Sequence, residues 1–192
     1  MQLQLRQSSH LIPGEPTLEH AGSSLMPRLL LMRHAKSSWS DPRMSDHDRP
    51  LNKRGQAAAP RMGRWLQEND LLPERIFSST ARRACDTATL IADSYESPPR
   101  IELFRDLYHA TPDEMIDVLA SHGGAAEVLM LVAHNPGIED FISEITTQVE
   151  FCPTAVVAVI DFQVPWVELL VEAKGSLESL WRPREILADQ PS

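Results

Sequence analysis

The chain has 192 residues, 42% of them hydrophobic and 23% charged, which is the composition of one globular domain rather than of a disordered or fibrous polymer. Its formal net charge is -9, from 18 basic against 27 acidic side chains. That balance excludes a general nucleic-acid or anionic-membrane binder, since both ligands are held by basic surfaces. A local cluster of arginines can still bind a small phosphorylated group.

Two cysteines, Cys85 and Cys152, form no CxxC pair and join no zinc-type cluster, so they read as reduced thiols of a cytoplasmic protein. No apolar run approaches the roughly 20 residues needed to span a bilayer. Residues 1–27 lack the apolar core of a signal peptide. Their polar, Pro- and Gly-containing composition predicts a disordered leader, with Met26 an alternative start. Residues 28–187 are then the folded domain.

The first element, RLLLMRH, is a continuous apolar run that fits a strand buried on both faces. Residues 35–52 are polar and broken by Asp41-Pro42 and Arg49-Pro50, which predicts a loop. Helical periodicity runs from Gly55 to Leu66, with Ala58, Met62, Trp65 and Leu66 on one face and Pro60 starting or kinking the helix. RIFSS is a second strand, followed by a helix from about Ala81 to Tyr95; RIELF is a third strand.

Thr111-Pro112-Asp113-Glu114 has the chemistry of a helix start: a capping hydroxyl, proline in the first turn, then acids at the positive end. That helix stops at Gly123-Gly124. EVLMLVAHNPG repeats the first pattern, an apolar strand ending in histidine. A helix over Ile138–Thr147 and late strands at TAVVAVIDF and WVELL complete the reading. Alternating strands and helices predict an α/β sandwich with a largely parallel sheet.

Ligands of parallel sheets bind beyond the carboxyl ends of the strands. Three predicted strands end in reactive groups: Arg33-His34, Ser78-Ser79 followed by Arg82-Arg83, and His134-Asn135-Pro136-Gly137. Arginine offers planar paired donors to phosphate oxygens, and neutral imidazole is a competent nucleophile near pH 7. Singly, each has a plainer role: strand-end histidines are commonly structural, and an arginine pair at a helix start usually faces solvent. That pair is poorly placed for the helix dipole, and a bound anion would reverse the sign of the interaction.

LLLMRHAKSSW is similar to the RH signature of the histidine phosphatase superfamily, and specifically of its SixA-like phosphohistidine phosphatases. The resemblance continues through DRPLNKRG, SSTARRACDTA, LYHATPDE, LMLVAHNPG and WRPRE, from Arg28 to Glu185. It implies a phosphoglycerate mutase-like, three-layer α/β/α sandwich whose six-stranded sheet is parallel except for one strand. It implies a phosphatase without cofactor or metal. His34 matches the nucleophile that becomes phosphorylated, and Arg33 the phosphate-binding arginine before it. The R-A-x-x-T pattern selects Arg83 over Arg82, and His134 matches the second histidine, which donates to the phosphate.

One departure stands out. Where many members carry a glutamate acid in an L-x-E pattern, this chain has Leu107-Tyr108-His109. His109 either protonates a leaving group as imidazolium or faces solvent, with Asp106, Asp113 and Glu114 as nearby carboxylates. Weak acid catalysis suits a phosphoramidate such as phosphohistidine. Only 51 positions (134 minus 83) separate Arg83 from His134, which leaves little room for a cap and suits a substrate presented by a protein.

Arg49 either reaches the phosphate or ties its loop through Asp48, and Ser38 either donates to phosphate or caps the loop. The four tryptophans read as packing residues. The partner is then a phosphorylated protein, such as a phosphorelay histidine, or a small phosphorylated metabolite. A non-catalytic phosphate-binding module is the alternative from another class. A zinc site at His34 and His134 is disfavoured by the arginines crowding a cation, and HGG at His122 lacks a GxSxG partner.

Overall fold

The apolar run that opens the fold sends its side chains alternately into two cores. In β1 (Arg28–Arg33), Leu29 and Leu31 enter one and Leu30 and Met32 the other, all fully buried. This is the two-residue period of a strand covered by helices on both faces. The computed structural model describes residues 26–188, so nearly all of the expected leader lies outside the described residues.

The sheet holds β1, β2 (Arg75–Ser79), β3 (Arg100–Phe104), β4 (Val128–Ala133), β5 (Val157–Phe162) and β6 (Gly175–Trp181), in the order β3-β2-β4-β1-β5-β6. β1, β2, β3 and β4 pair in parallel, whereas β5 is antiparallel to both β1 and β6. Helices α1 (Lys53–Glu68) and α2 (Arg82–Ala92) cover one face through Met62, Leu66, Ala88 and Ile91, joined by Ile186 of α5 (Pro183–Ala188). Helices α3 (Pro112–His122) and α4 (Gly137–Thr146) cover the other through Met115, Leu119, Phe141 and Ile142. The result is the three-layer α/β/α sandwich with one reversed strand.

Three local expectations are corrected. α1 begins at Lys53, two residues before the expected Gly55, capped by the Asn52 side chain; of the two roles expected for Pro60, its place inside the helix excludes the start. WVELL is a 3-10 helix, not a strand: Trp166 and Leu169 point inward three residues apart, while Val167 and Leu170 are exposed. A period of three is that of a 3-10 turn and cannot be a strand's two. The last strand is instead β6, an edge strand whose inward residues alternate with exposed Ser176 and Glu178. At the start of α3, Thr111 and Glu114 form a reciprocal capping box.

What positions the site is the register of the central strands. Arg33 of β1 pairs with Ala133 of β4, and Ser78 of β2 with Val132, so His34 and His134 leave the sheet side by side, with Ser79 one strand over. The chain after β1 leads to α1 on one face, and the chain after β4 to α4 on the other. This divergence opens a crevice at the switch point of the sheet. At the start of α4, Gly137 packs closely on the residue after His109: a Cβ there would lie 1.9 Å from the Ala110 carbonyl oxygen. Gly137→Ala is therefore expected to cost about 1–3 kcal/mol through overpacking. Urea unfolding checks this, and an unchanged midpoint would mean that α4 shifts without strain.

Candidate active site

His34 is the first residue beyond β1 and is 7% exposed. Its backbone N–H donates to Ala133 O, and its Nδ1 donates to the Ala35 carbonyl at 2.7 Å. A carbonyl can only accept, so Nδ1 carries the proton and Nε2 keeps its lone pair. Arg83 Nε donates to that lone pair at 3.1 Å. Burial first, then the charges of Arg83, Arg33 and Arg49, bring the His34 pKa down to about 3, against the opposing bond to Ala35. The ring is neutral at ordinary pH.

Arg83 stands in the first turn of α2, which has no acidic residue and no side-chain cap. It is 3% exposed, and Asp46 receives both ends of its guanidinium: Nη1 donates to the Asp46 carbonyl at 2.5 Å and Nη2 to its Oδ2 at 2.9 Å. One turn later the Thr87 hydroxyl donates to Arg83 O and accepts from Ala35 N, which latches α2 onto the loop after β1. The threonine of the R-A-x-x-T pattern thus fixes the relative position of Arg83 and His34.

His134 lies beside His34, with ring centroids 4.9 Å apart, and is 2% exposed. Its Nε2 shares a hydrogen bond of 2.9 Å with Ser79 Oγ, and its buried Nδ1 has no partner. Burial, then the neighbouring His34, Arg83 and His109, lower its pKa to about 2. Arg33 is half-buried; its Nη1 donates to the Cys152 carbonyl at 2.7 Å, while its buried Nε has no partner.

Asp46 closes the mouth of the crevice. Its carboxylate takes hydrogen bonds from Arg83, from Arg49 Nη1 at 2.5 Å and from the Tyr108 hydroxyl at 2.8 Å, and lies 3.5 Å from His109 Nε2. Burial works to raise its pKa. The bond from Tyr108, the charge of Arg83 and the bonds from Arg83 and Arg49 outweigh it and hold the carboxyl well below the usual range. The site therefore combines two neutral imidazoles with arginines partly balanced by an internal anion. Among the described residues no three His, Cys, Asp or Glu side chains gather as a metal ion would require.

The sequence profile of the Histidine phosphatase superfamily (branch 1) matches residues 29–107. An uncharacterised protein of Mycobacterium leprae is 32% identical over 160 residues, which span 74% of this chain and 94% of that one. The chain belongs to the histidine phosphatase superfamily. A chloroplastic protein of Arabidopsis thaliana, also uncharacterised, is 46% identical over 65 residues, but the match spans 34% of this chain and only 30% of that protein. Among solved structures, a putative phosphohistidine phosphatase SixA from Agrobacterium tumefaciens superposes with a TM-score of 0.68 at 26% identity, covering 82% of this chain and 99% of that one.

In this member of the superfamily, the fold brings together His34 and His134 from two strand ends and Arg83 from the first turn of α2, with Arg33 beside them. His109 stands at the rim, its side chain 55% exposed and its backbone in the left-handed region at φ 58. Arg49 is buried but turns inward to Asp46, the Ser37 hydroxyl and the Ser38 carbonyl. Asp48, the expected partner of Arg49, bonds Ser45 instead. The Ser38 hydroxyl turns away to Ser40. Trp39 does not pack in the core; it is 73% exposed, with the Arg49 guanidinium 3.3 Å above its ring.

Asp46, Tyr108, Ser79 and Thr87 complete the arrangement without having been singled out. Thr87 lay within a recognised pattern and Ser79 at a recognised strand end. Nothing in a polar loop with three aspartates (Asp41, Asp46, Asp48) marks which one turns inward.

The two histidine shifts give stability a sign with pH. An unfolded imidazole takes up its proton near 6.5, whereas the folded ones resist until about 3 and about 2. Stability from each neutral ring is therefore full above 6.5 and is lost as the pH falls through this window. Urea unfolding at pH 7.5 and pH 5 should show a loss on the order of 1–2 kcal/mol per ring, and His134→Gln should lose less on acidification. An equal loss would place the acid sensitivity elsewhere.

An oxyanion that reaches Arg83 must exchange with Asp46. Asp46→Asn is accordingly expected to bind orthophosphate several-fold more tightly than the natural protein, by calorimetry. Unchanged or weaker binding would make Asp46 an orienting group for the arginines rather than a competitor.

Proposed function

We propose that the protein is a metal-independent phosphatase that uses His34 Nε2 as nucleophile and acts on phosphohistidine carried by another protein. The observation that carries this reading is the locked tautomer of His34: the Ala35 carbonyl holds the Nδ1 proton, and the Nε2 lone pair faces an arginine in the crevice. Its depressed pKa keeps that nitrogen unprotonated.

In the first step Nε2 attacks phosphorus as the substrate's N–P bond breaks, and the leaving imidazole takes up a proton. In the second, water attacks the phosphorylated His34, the N–P bond to Nε2 breaks, and orthophosphate departs with the water's oxygen. Arg83 and Arg33 hold the equatorial oxygens, whose charge grows towards the transition state. With the Ser79 hydroxyl donating to Nε2 of His134, the unpartnered Nδ1–H is available to a phosphate oxygen.

His109 supplies the leaving-group proton. Its left-handed backbone holds the ring at the rim, 5.6 Å from His134 between centroids and with Nε2 3.5 Å from the Asp46 carboxylate. An imidazole leaving group needs only such a weak acid. The Agrobacterium structure described as a putative phosphohistidine phosphatase supports the substrate class. So does the short chain between α2 and α3, which inserts no cap. The free thiols Cys85 and Cys152 fit a reducing cytoplasm.

Incubation with a phosphohistidine-bearing protein, with chelator present, should yield labelled phosphate through a trappable phosphoenzyme. His34→Ala abolishes both. Arg83→Ala loses about 2.7–4 kcal/mol of transition-state stabilisation, the scale of one aimed donor. His109→Ala should lose much on aryl phosphates and little on phosphohistidine. Turnover confined to small metabolites would keep the mechanism and reject the substrate, and turnover without label on His34 would reject the mechanism.

A further inference from the structure

Beside the crevice over His34 lies a groove of about 730 Å³, between the start of α1, residues 151–155 and the start of α5. Arg33 belongs to both, so the groove is continuous with the proposed phosphate site. Its lining includes Lys36, Arg54, Arg61, Arg182 and Arg184, with Glu185 the one carboxylate. Arg182 is already paired, with Glu150 at 3.0 Å and Glu185 at 3.5 Å. Lys36, Arg54, Arg61 and Arg184 are exposed and make no ion pair among the described residues.

The pattern on α1 is that of a built floor. Arg54, Ala57, Ala58 and Arg61 follow one face at helical spacing, two cations bracketing two small side chains. Seven residues of helix rise about 10 Å, farther than one phosphate can bridge. The first turn of α1 holds Lys53 and Arg54 and no acid, opposite to what its dipole favours. Phe151, 72% exposed, adds an apolar contact to the lining. The cations gathered here leave the rest of the surface more acidic than the net charge of -9 conveys. An acidic partner is steered by this local cluster of cations to the groove.

We infer that the groove is the docking site for an acidic segment of the phosphorylated protein, which binds along α1 while the phosphoryl group reaches His34 past Arg33. The inference rests on the reading of a protein-borne substrate. Extended acidic side chains match cations spaced along a helix. A single small anion would leave most of them unpartnered.

Two arms test it, both with the full chain and the double charge reversal Arg54→Glu/Arg61→Glu, at exposed positions outside the catalytic set. In the first, a fluorescent glutamate-rich peptide without phosphate is titrated by anisotropy. It should bind with strong salt dependence, and the double variant should weaken it by about tenfold or more. In the second, the variant should lose a similar factor in kcat/KM, through KM, on a phosphohistidine peptide set in glutamate-rich sequence. Its kcat/KM on p-nitrophenyl phosphate should stay unchanged.

Equal peptide affinity in the two proteins overturns the inference. So does preferential binding of an RNA oligonucleotide, or a loss confined to small metabolites with a second anionic group. Failure to hydrolyse any phosphohistidine would reject the proposed substrate instead, and the peptide titration would still decide the groove.

Discussion

The parallel pairing of β1 with β4 is the constraint on which the remainder depends. Register places Arg33 opposite Ala133, and the next residue on each strand is a histidine. Because both strands run the same way, both histidines emerge at one rim, although one hundred positions (134 minus 34) separate them in the chain. A slip of one residue would turn Leu29 and Leu31 towards the wrong core and carry His34 away from its partner. The double-sided burial of β1 and β4 makes that slip costly, so the demands of the core hold the geometry of the site.

The same burial sets the electrostatics. Both imidazoles are removed from water beside arginines, and burial and neighbouring positive charge both oppose their protonation. The buried guanidiniums require an anion, and Asp46 meets part of that need. The loop before α1 thereby acquires a fixed place. Arg49 binds Asp46 and the Ser38 carbonyl, and Arg82 N–H donates to the His47 carbonyl. A segment without regular structure is thus held by the charges it covers.

Much of this was legible in the chain. Continuous apolar runs ending in histidine announced β1 and β4, and the Thr-Pro-Asp-Glu start of α3 formed the capping box its chemistry suggests. The failures share a cause. WVELL is apolar enough for a strand, but tertiary packing called on its residues at a spacing of three. β6 is half polar because it lies at the edge, so its alternation was faint. Short elements carry too few residues for the period to decide between states.

The sequence by itself determined the layered α/β class, the strand ends that carry His34 and His134, the helix start that carries Arg83, and the resemblance that groups them. Each of these rests on local periodicity or on a contiguous pattern. The tertiary structure alone decided that Asp46 rather than Asp48 meets the arginines, that Ser38 turns away, and that Arg54 and Arg61 share a groove with Arg184. Those choices turn on side-chain direction and on contacts between residues far apart in the chain. A linear pattern records which groups are present, and folding alone sets which of them meet.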